Sequence, residues 1–328
     1  MNSFSPRTIL VVKNRAMGDS IMGLSTLQWL RALYPEAKIV YGLPSWIIPL
    51  YKNVKTAADS YLNVDLKNSS DWLRLYKEVK ALNPDHIHEM HLAGRTKKFF
   101  SLFTLFSSVR YSYHNHHLKS GGQVHDQGVI KSLIQRDLDG AWSFLGKDKT
   151  LPSFLDYEPK INVQEKSEKN QYVLGVVATR KTKMWPLEYY AKLCHNLSGK
   201  VLIPLSRSET DLQIKKQLES YSLPSHVEFV HAPLEELPLL LAGSRAYIGN
   251  DTGLKHLCIA LGVKTWTFFG PEPPTEWHPY KTNLHKYFFI DPLECRTRDA
   301  HYCGLSECDS MICLNQIDVD QVLSELNK

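Results

Sequence analysis

The chain has 328 residues, 43% of them hydrophobic and 22% charged, and carries a formal net charge of +5. That length is generous for one hydrophobic core and comfortable for two domains, and the composition excludes disordered and fibrous classes. No apolar run approaches membrane-spanning length, and the start, Met1-Asn-Ser-Phe-Ser-Pro-Arg-Thr8, has no charged segment followed by an apolar one, so a soluble cytoplasmic protein is expected. The mild positive balance suits an anionic partner such as a phosphorylated substrate or a lipid surface, and no nucleic-acid motif accompanies it.

Thr8-Ile-Leu-Val-Val-Lys13 is a continuous apolar run of the kind that forms a central parallel strand. Met17-Gly-Asp-Ser20 reads as a turn, after which Ile21, Leu24, Leu27, Leu30 and Leu33 recur at helical spacing. Asp19 then lies at the carboxyl edge of the expected sheet. A carboxylate there serves as a general base when burial or hydrogen bonding tunes it, whereas an Asp beside a helix start equally caps it, an effect of about 1 kcal/mol. Ile39–Leu43 reads as the second strand, and Asp71–Leu82 as a helix capped by Ser69, Ser70 or Asp71. His86–His91 and Val109–Tyr113 are further strands. Between them, Arg95, Lys97 and Lys98 precede Phe99, Phe100, Leu102, Phe103, Leu105 and Phe106. A basic end on an apolar body fits an anionic acceptor or membrane surface, and also fits a core helix with a cationic start.

Residues 148–170 turn polar and proline-punctuated, which marks the connection between residues 1–160 and 161–328. The strand–helix rhythm then restarts: strand Tyr172–Ala178, helix Pro186–Leu197, strand Lys200–Leu205, helix Thr210–Ser220, strand Val227–His231 and helix Leu234–Ala242. Strands alternating with helices predict an α/β fold of two Rossmann-like, doubly wound domains facing a central cleft. In Thr179-Arg-Lys-Thr-Lys183-Met-Trp-Pro186, cations and hydroxyls precede a proline at a first helical turn, an anion site in which Lys183 suits a pyrophosphate. Ser206-Arg-Ser-Glu209 offers either a carboxylate for ribose hydroxyls or a Ser/Glu capping box.

Tyr247-Ile-Gly-Asn-Asp-Thr-Gly-Leu-Lys-His256 reads as a buried strand ending at Asp251, a sharp turn at Thr252-Gly253 and a helix start; Lys264–Phe269 is the next strand. A helix opening at a strand's carboxyl end aims unpaired N–H groups into the crevice where α/β proteins bind ligands. Gly253 allows close approach of a phosphate, Thr252 donates a hydroxyl, and Asp251 would accept from ligand hydroxyls. His256, near the first turn, either faces the phosphate or packs. Of six cysteines, four crowd one segment as Cys295, Cys303, Cys308 and Cys313, with His301 nearby. Short Cys-x2-Cys knuckles are missing, so a compact reduced loop is preferred over zinc.

Asn250–His256, Ala260–Val263, Phe269-Gly-Pro271 and Trp277-His-Pro-Tyr280 resemble the carboxyl-terminal block of glycosyltransferase family 9, the ADP-heptose:lipopolysaccharide heptosyltransferases. Ala16-Met-Gly-Asp19, Leu24–Leu27 and Arg31–Pro35 are similar to its amino-terminal block, Lys183-Met-Trp-Pro186 resembles its Lys-x-Trp-Pro motif, and the cysteines with Ile317 and Val322 resemble its tail. The resemblance implies a GT-B fold and transfer with inversion by a single displacement, with no metal and no cofactor. It implies Asp19 as the base; Thr179 and Lys183 at the donor phosphates; Glu209 at the ribose; and Asp251, Thr252, Gly253 and His256 as the donor loop. The implied partners are ADP-heptose and an anionic glycolipid acceptor near Arg95, Lys97 and Lys98, with peripheral contact at the cytoplasmic face of the inner membrane. A different donor sugar or a protein acceptor keeps the same chemistry. A nucleotide-sugar epimerase, or a binding protein without catalysis, are the readings from other classes.

Overall fold

The computed structural model describes residues 5–92, 94–114, 119–120, 123–124, 131–164, 167–295, 305 and 307–327. The chain divides into two compact units, Met1–Lys119 with His125–Asn162 and Ser120–Val124 with Val163–Lys328.

In the first unit, β1 (Thr8–Val12), α1 (Met17–Leu33), β2 (Lys38–Leu43), β3 (Ser60–Asn63), α2 (Ser69–Leu82), β4 (His86–Met90), α3 (Gly94–Leu105), β5 (Arg110–His114) and α4 (Leu133–Leu145) follow one another. The strands form a five-stranded sheet in the order β3-β2-β1-β4-β5. Every neighbouring pair is parallel, with Val12 opposite both Gly42 and Glu89. The central strand β1 is enclosed on both faces, which explains its unbroken run of Ile9, Leu10, Val11 and Val12, all with no exposed surface. One side of the sheet packs Leu10, Val12 and Ile87 into a core shared with Leu75 and Val79 of α2 and Phe99 and Phe100 of α3.

The second unit repeats the plan with β6 (Lys169–Gly175), α5 (Leu187–Asn196), β7 (Lys200–Pro204), α6 (Glu209–Glu219), β8 (Val227–Val230), α7 (Leu237–Leu241), β9 (Ser244–Asn250), α8 (Gly253–Ala260), β10 (Thr265–Phe269), α9 (Pro274–Trp277), β11 (His285–Phe289), α10 (Ile312–Asn315) and α11 (Val319–Leu326). Its six-stranded sheet has the order β8-β7-β6-β9-β10-β11, again parallel throughout. Where β6 and β9 meet, Gly175 sits opposite Gly249, and a Cβ on Gly249 would lie 2.6 Å from the Gly175 nitrogen. Glycine is therefore required there by close backbone approach. The core centres on Trp185, which stacks on Phe268 with ring centroids 4.2 Å apart and donates its indole N–H to the Ile317 carbonyl at 2.8 Å. Val322 of α11 joins that core, so the tail closes the unit.

Several boundaries differ from expectation. α1 starts at Met17, which puts Asp19 inside the first helical turn, with Ala16 as N-cap in extended conformation. α2 is capped by Asn68, whose side chain accepts the Asp71 N–H while the Asp71 carboxylate takes the Asn68 N–H at 3.2 Å, a reciprocal capping box. At α6 the capping pair is Ser208 and Asp211, and Glu209 is left outside it. α7 is shortened because Pro238 has no N–H to give and is tolerated at a first turn but not further in. β3 and α4 were not expected: β3 is short and carries no alternation, and α4 has a glycine, Gly140, inside its apolar spacing.

Candidate active site

In the second unit β9 delivers Asp251 to the carboxyl edge of the sheet, and α8 opens immediately after it. Its N-cap, Thr252, is extended at φ −144° and makes no side-chain cap. The first-turn N–H groups therefore keep their anion-binding capacity, and Thr252, Gly253 and Leu254 are all partly exposed.

Asp251 is buried, and both of its oxygens are committed. Lys183 donates to one at 3.0 Å and Lys255 to the other. Burial alone would raise the Asp251 pKa, but the two ammonium groups outweigh it and hold the carboxyl well below the usual range. Lys255 has no exposed side-chain surface, donates also to the Trp277 carbonyl at 2.8 Å, and lies 4.9 Å above the Phe269 ring. Burial pulls its pKa down to about 8, with Asp251 opposing that fall. Lys183 differs: 17% of its side chain remains exposed, so its ammonium is the one that can meet a ligand.

The loop carrying Lys183 is fixed by Asn250, the last residue of β9. Its Oδ1 accepts from the Trp185 N–H at 2.9 Å and the Tyr190 hydroxyl at 3.0 Å, while its Nδ2 donates to the Val176 carbonyl at 2.9 Å. One amide side chain thus joins the end of β6, the Lys183 turn, α5 and the residue before Asp251.

In the first unit, Asp19 stands at the third position of α1, partly buried. Burial raises its pKa, Lys13 and Arg15 pull it down, Asp137 raises it, and a hydrogen bond from the Ala16 backbone lowers it, with a net upward shift. Lys13 and Asp137 form a fully buried pair at 2.7 Å, and His114 Nε2 lies 3.3 Å from the same carboxylate. The first turn of α1 is held from below: the Tyr41 hydroxyl donates to the Ser20 carbonyl at 2.8 Å, and Ser20 and Tyr51 share a hydrogen bond at 3.1 Å. The Asp19 carboxylate therefore stands on a turn whose backbone is fixed by buried hydrogen bonds.

The sequence pattern of Glycosyltransferase family 9 (heptosyltransferase) matches residues 106–300, more than half of the chain. This chain belongs to glycosyltransferase family 9. The family 9 chain is 22% identical over 326 residues, 94% of each chain, to lipooligosaccharide heptosyltransferase 2 of Campylobacter jejuni. It is 30% identical over 100 residues, 29% of its length, to lipopolysaccharide heptosyltransferase 1 of Escherichia coli, of which that stretch is 30%. Among solved structures, E. coli ADP-heptose lipopolysaccharide heptosyltransferase II superposes with a TM-score of 0.74 at 20% identity, covering 98% of this chain and 97% of that one. E. coli heptosyltransferase WaaC with ADP gives 0.69 at 18% identity, covering 97% and 99%. The enzyme is a glycosyltransferase with the GT-B fold.

In this family 9 glycosyltransferase two residues of the expected donor loop make contacts inside the protein. Asp251 holds Lys183 through one oxygen and pairs with Lys255 through the other. His256 bonds the Tyr280 hydroxyl through Nδ1 and lies 3.9 Å from Asp251 through Nε2, inside the protein. Burial, then Lys255, push its pKa well below the usual value despite Asp251. Thr179 and Glu209 are exposed, Thr179 after β6 and Glu209 at the start of α6 after β7. Arg95 donates to the Leu66 carbonyl at 3.1 Å, Lys97 lies over the Tyr113 ring, and Lys98 is exposed. Cys295 is exposed, and Cys308 and Cys313 are partly buried. Cys303 and His301 lie outside the described residues, among which no group of three or more metal-ligating side chains gathers.

Three site residues escaped the sequence. Lys255 had a signal in its four-residue spacing from Asp251, which brings a first-turn side chain of α8 back over the residue just before the helix. Asn250 had one as the polar residue closing an apolar strand. Glu272 had none: it pairs with Arg180 and lies 3.9 Å from Lys183 only because the loop after β10 folds back.

Proposed function

We propose that this glycosyltransferase moves a heptose from ADP-heptose onto a lipopolysaccharide-core acceptor, with inversion and without a catalytic metal. The observation that carries this reading is Lys183, held by Asp251 at 3.0 Å yet partly exposed, beside the uncapped start of α8. A cation and a ring of N–H groups are what a departing nucleoside diphosphate requires. The heptose and the lipopolysaccharide core come from family membership and from the relatives named above. Asp19 takes the proton from the acceptor hydroxyl as its oxygen attacks the anomeric carbon; the bond from that carbon to the diphosphate oxygen breaks, and ADP leaves with the bonding pair. A single displacement of this kind inverts the anomeric configuration. Lys183, Thr179 and the N–H groups after Thr252, including that of Gly253, receive the phosphates, Asp251 and His256 support them from within, and Glu209 accepts from the ribose. Arg95, Lys97 and Lys98 attract the anionic acceptor.

Incubation with ADP-heptose and a heptose-free core acceptor should add one heptosyl residue by mass spectrometry, in the inverted configuration. Transfer from a UDP- or GDP-sugar, with none from ADP-heptose, would overturn the donor assignment. Lys183→Ala removes one charge-assisted phosphate contact and should weaken ADP binding by roughly 10- to 100-fold, measured by calorimetry. Because the Asp19 pKa is raised, its base form is lost as pH falls through a value above 3.8, so kcat/KM should decline on the acid side with a slope of one there. An acid limb at or below that value would count against Asp19.

A further inference from the structure

We propose that Glu272 makes the donor site discriminate by charge, holding a nucleotide sugar while favouring departure of the nucleoside diphosphate that transfer leaves behind. The inference deepens the reading above and rests on Lys183 meeting the donor phosphates. Glu272 follows β10 in the run Gly270-Pro-Glu-Pro-Pro274, and Pro274 opens α9. Gly270 brings that loop against the Lys183 turn: a Cβ there would lie 2.6 Å from the Thr182 carbonyl oxygen. Prolines flank Glu272 on both sides, and a residue before proline is confined to extended backbone. The carboxylate is therefore placed by a chain with little conformational freedom left to lose.

Glu272 differs from Asp251, whose two oxygens are both hydrogen-bonded to lysines. One Glu272 oxygen pairs with Arg180. The other is buried, has no hydrogen-bond partner among the described residues and lies 3.9 Å from the Lys183 ammonium. Arg180 and Lys183 keep 31% and 17% of their side chains exposed, so both can meet an anion, and both already face a carboxylate. With Arg180, Lys183 and Lys255 set against Asp251 and Glu272, the cradle holds a single positive charge in excess. Charge is also what changes in the ligand. The diphosphate of a nucleotide sugar carries about two negative charges. When its bond to the anomeric carbon breaks, the bonding pair stays on the phosphate oxygen and adds about one more at pH 7, since the second ionisation of a phosphate monoester lies near pH 6. A weak positive excess suits the donor better than the product, and Glu272 keeps the excess weak. Its repulsion counts once for each charge on the ligand, about 3-fold in affinity apiece across several ångströms of hydrated site.

The test uses the full chain and compares ADP with its β-methyl ester, which keeps the donor's charge on the same atoms without any sugar. Glu272→Gln should tighten ADP by roughly 30-fold and the ester by roughly 10-fold, so that the ratio of the two affinities in calorimetry rises about 3-fold. Glu272→Thr, smaller but equally uncharged, should shift the ratio by the same factor, and Glu272→Asp should keep the parental one. During transfer, the Gln variant should be inhibited more strongly by ADP relative to its KM for the donor. Equal tightening of ADP and ester would overturn the proposal. So would weaker binding of both, the result expected of a carboxylate that only positions Arg180 and Lys183. If UDP binds where ADP does not, UDP and its methyl ester carry the same comparison. The shifted ratio without transfer from ADP-heptose would sustain the role of Glu272 and overturn the proposed donor; transfer from ADP-heptose with a ratio that Gln and Thr leave unchanged would do the reverse.

Discussion

Asp19→Ala should lower kcat for sugar transfer by about 10²- to 10⁴-fold, the range of a lost general base, with ADP affinity near that of the parent. The proposed donor cradle is built from residues of the second unit, and Asp19 belongs to the first. Asp19 also takes a hydrogen bond from the Ala16 backbone, and a helix-start contact of that kind contributes about 1 kcal/mol. Asp19→Asn separates the two roles. The amide oxygen can still accept from Ala16, but it cannot take a proton at neutral pH, so Asn should lose as much rate as Ala while melting closer to the parent. If Asn retains turnover and only Ala loses it, Asp19 is a helix-start residue and the base lies elsewhere.

Asp251→Ala should be the most destabilising single change in the second unit. It leaves the ammonium of Lys255 buried with no carboxylate beside it, and breaking a buried pair from one side costs about 3–5 kcal/mol. The expected signature is a fall of roughly 10 °C in the melting temperature of that unit at pH 7. Lys255, already near 8, would be driven lower and lose its proton, so the loss should be smaller at higher pH. Adding Lys255→Met to Asp251→Ala should recover much of the stability, because the stranded charge is gone and the methionine fills the space against Phe269. It should not recover ADP binding, because Lys183 would still lack its anchor. A double variant as unstable as Asp251→Ala would show that the carboxylate matters for some reason other than Lys255.

The fold was legible where burial is simple. Thr8–Val12 and Tyr247–Asn250 are enclosed on both faces, so their apolar runs announce central parallel strands, and Gly249 announces the close approach of β6. It was less legible where a single residue decides a boundary: Pro238 delays α7, and Asn68 rather than Ser69 caps α2. Within the candidate site, the residues that point outward were readable because their chemistry is generic to anion binding. The inward roles were not. Whether the Asp251 carboxylate faces a ligand or two lysines depends on the loop after β6 returning to the end of β9, a contact between residues 68 positions apart. His256 shows the same limit, since only the fold brings Tyr280 to its ring.

Asn250 has a consequence for how a donor would enter the proposed site. Its single amide ties the end of β6, the Lys183 turn and α5 to the end of β9, just before α8 opens. Donor binding should therefore incur little ordering cost at the phosphates, and amide exchange across residues 183–190 should barely change when ADP is added. Substitutions that speed or slow product release should accordingly be sought in the exposed loops rather than around Trp185.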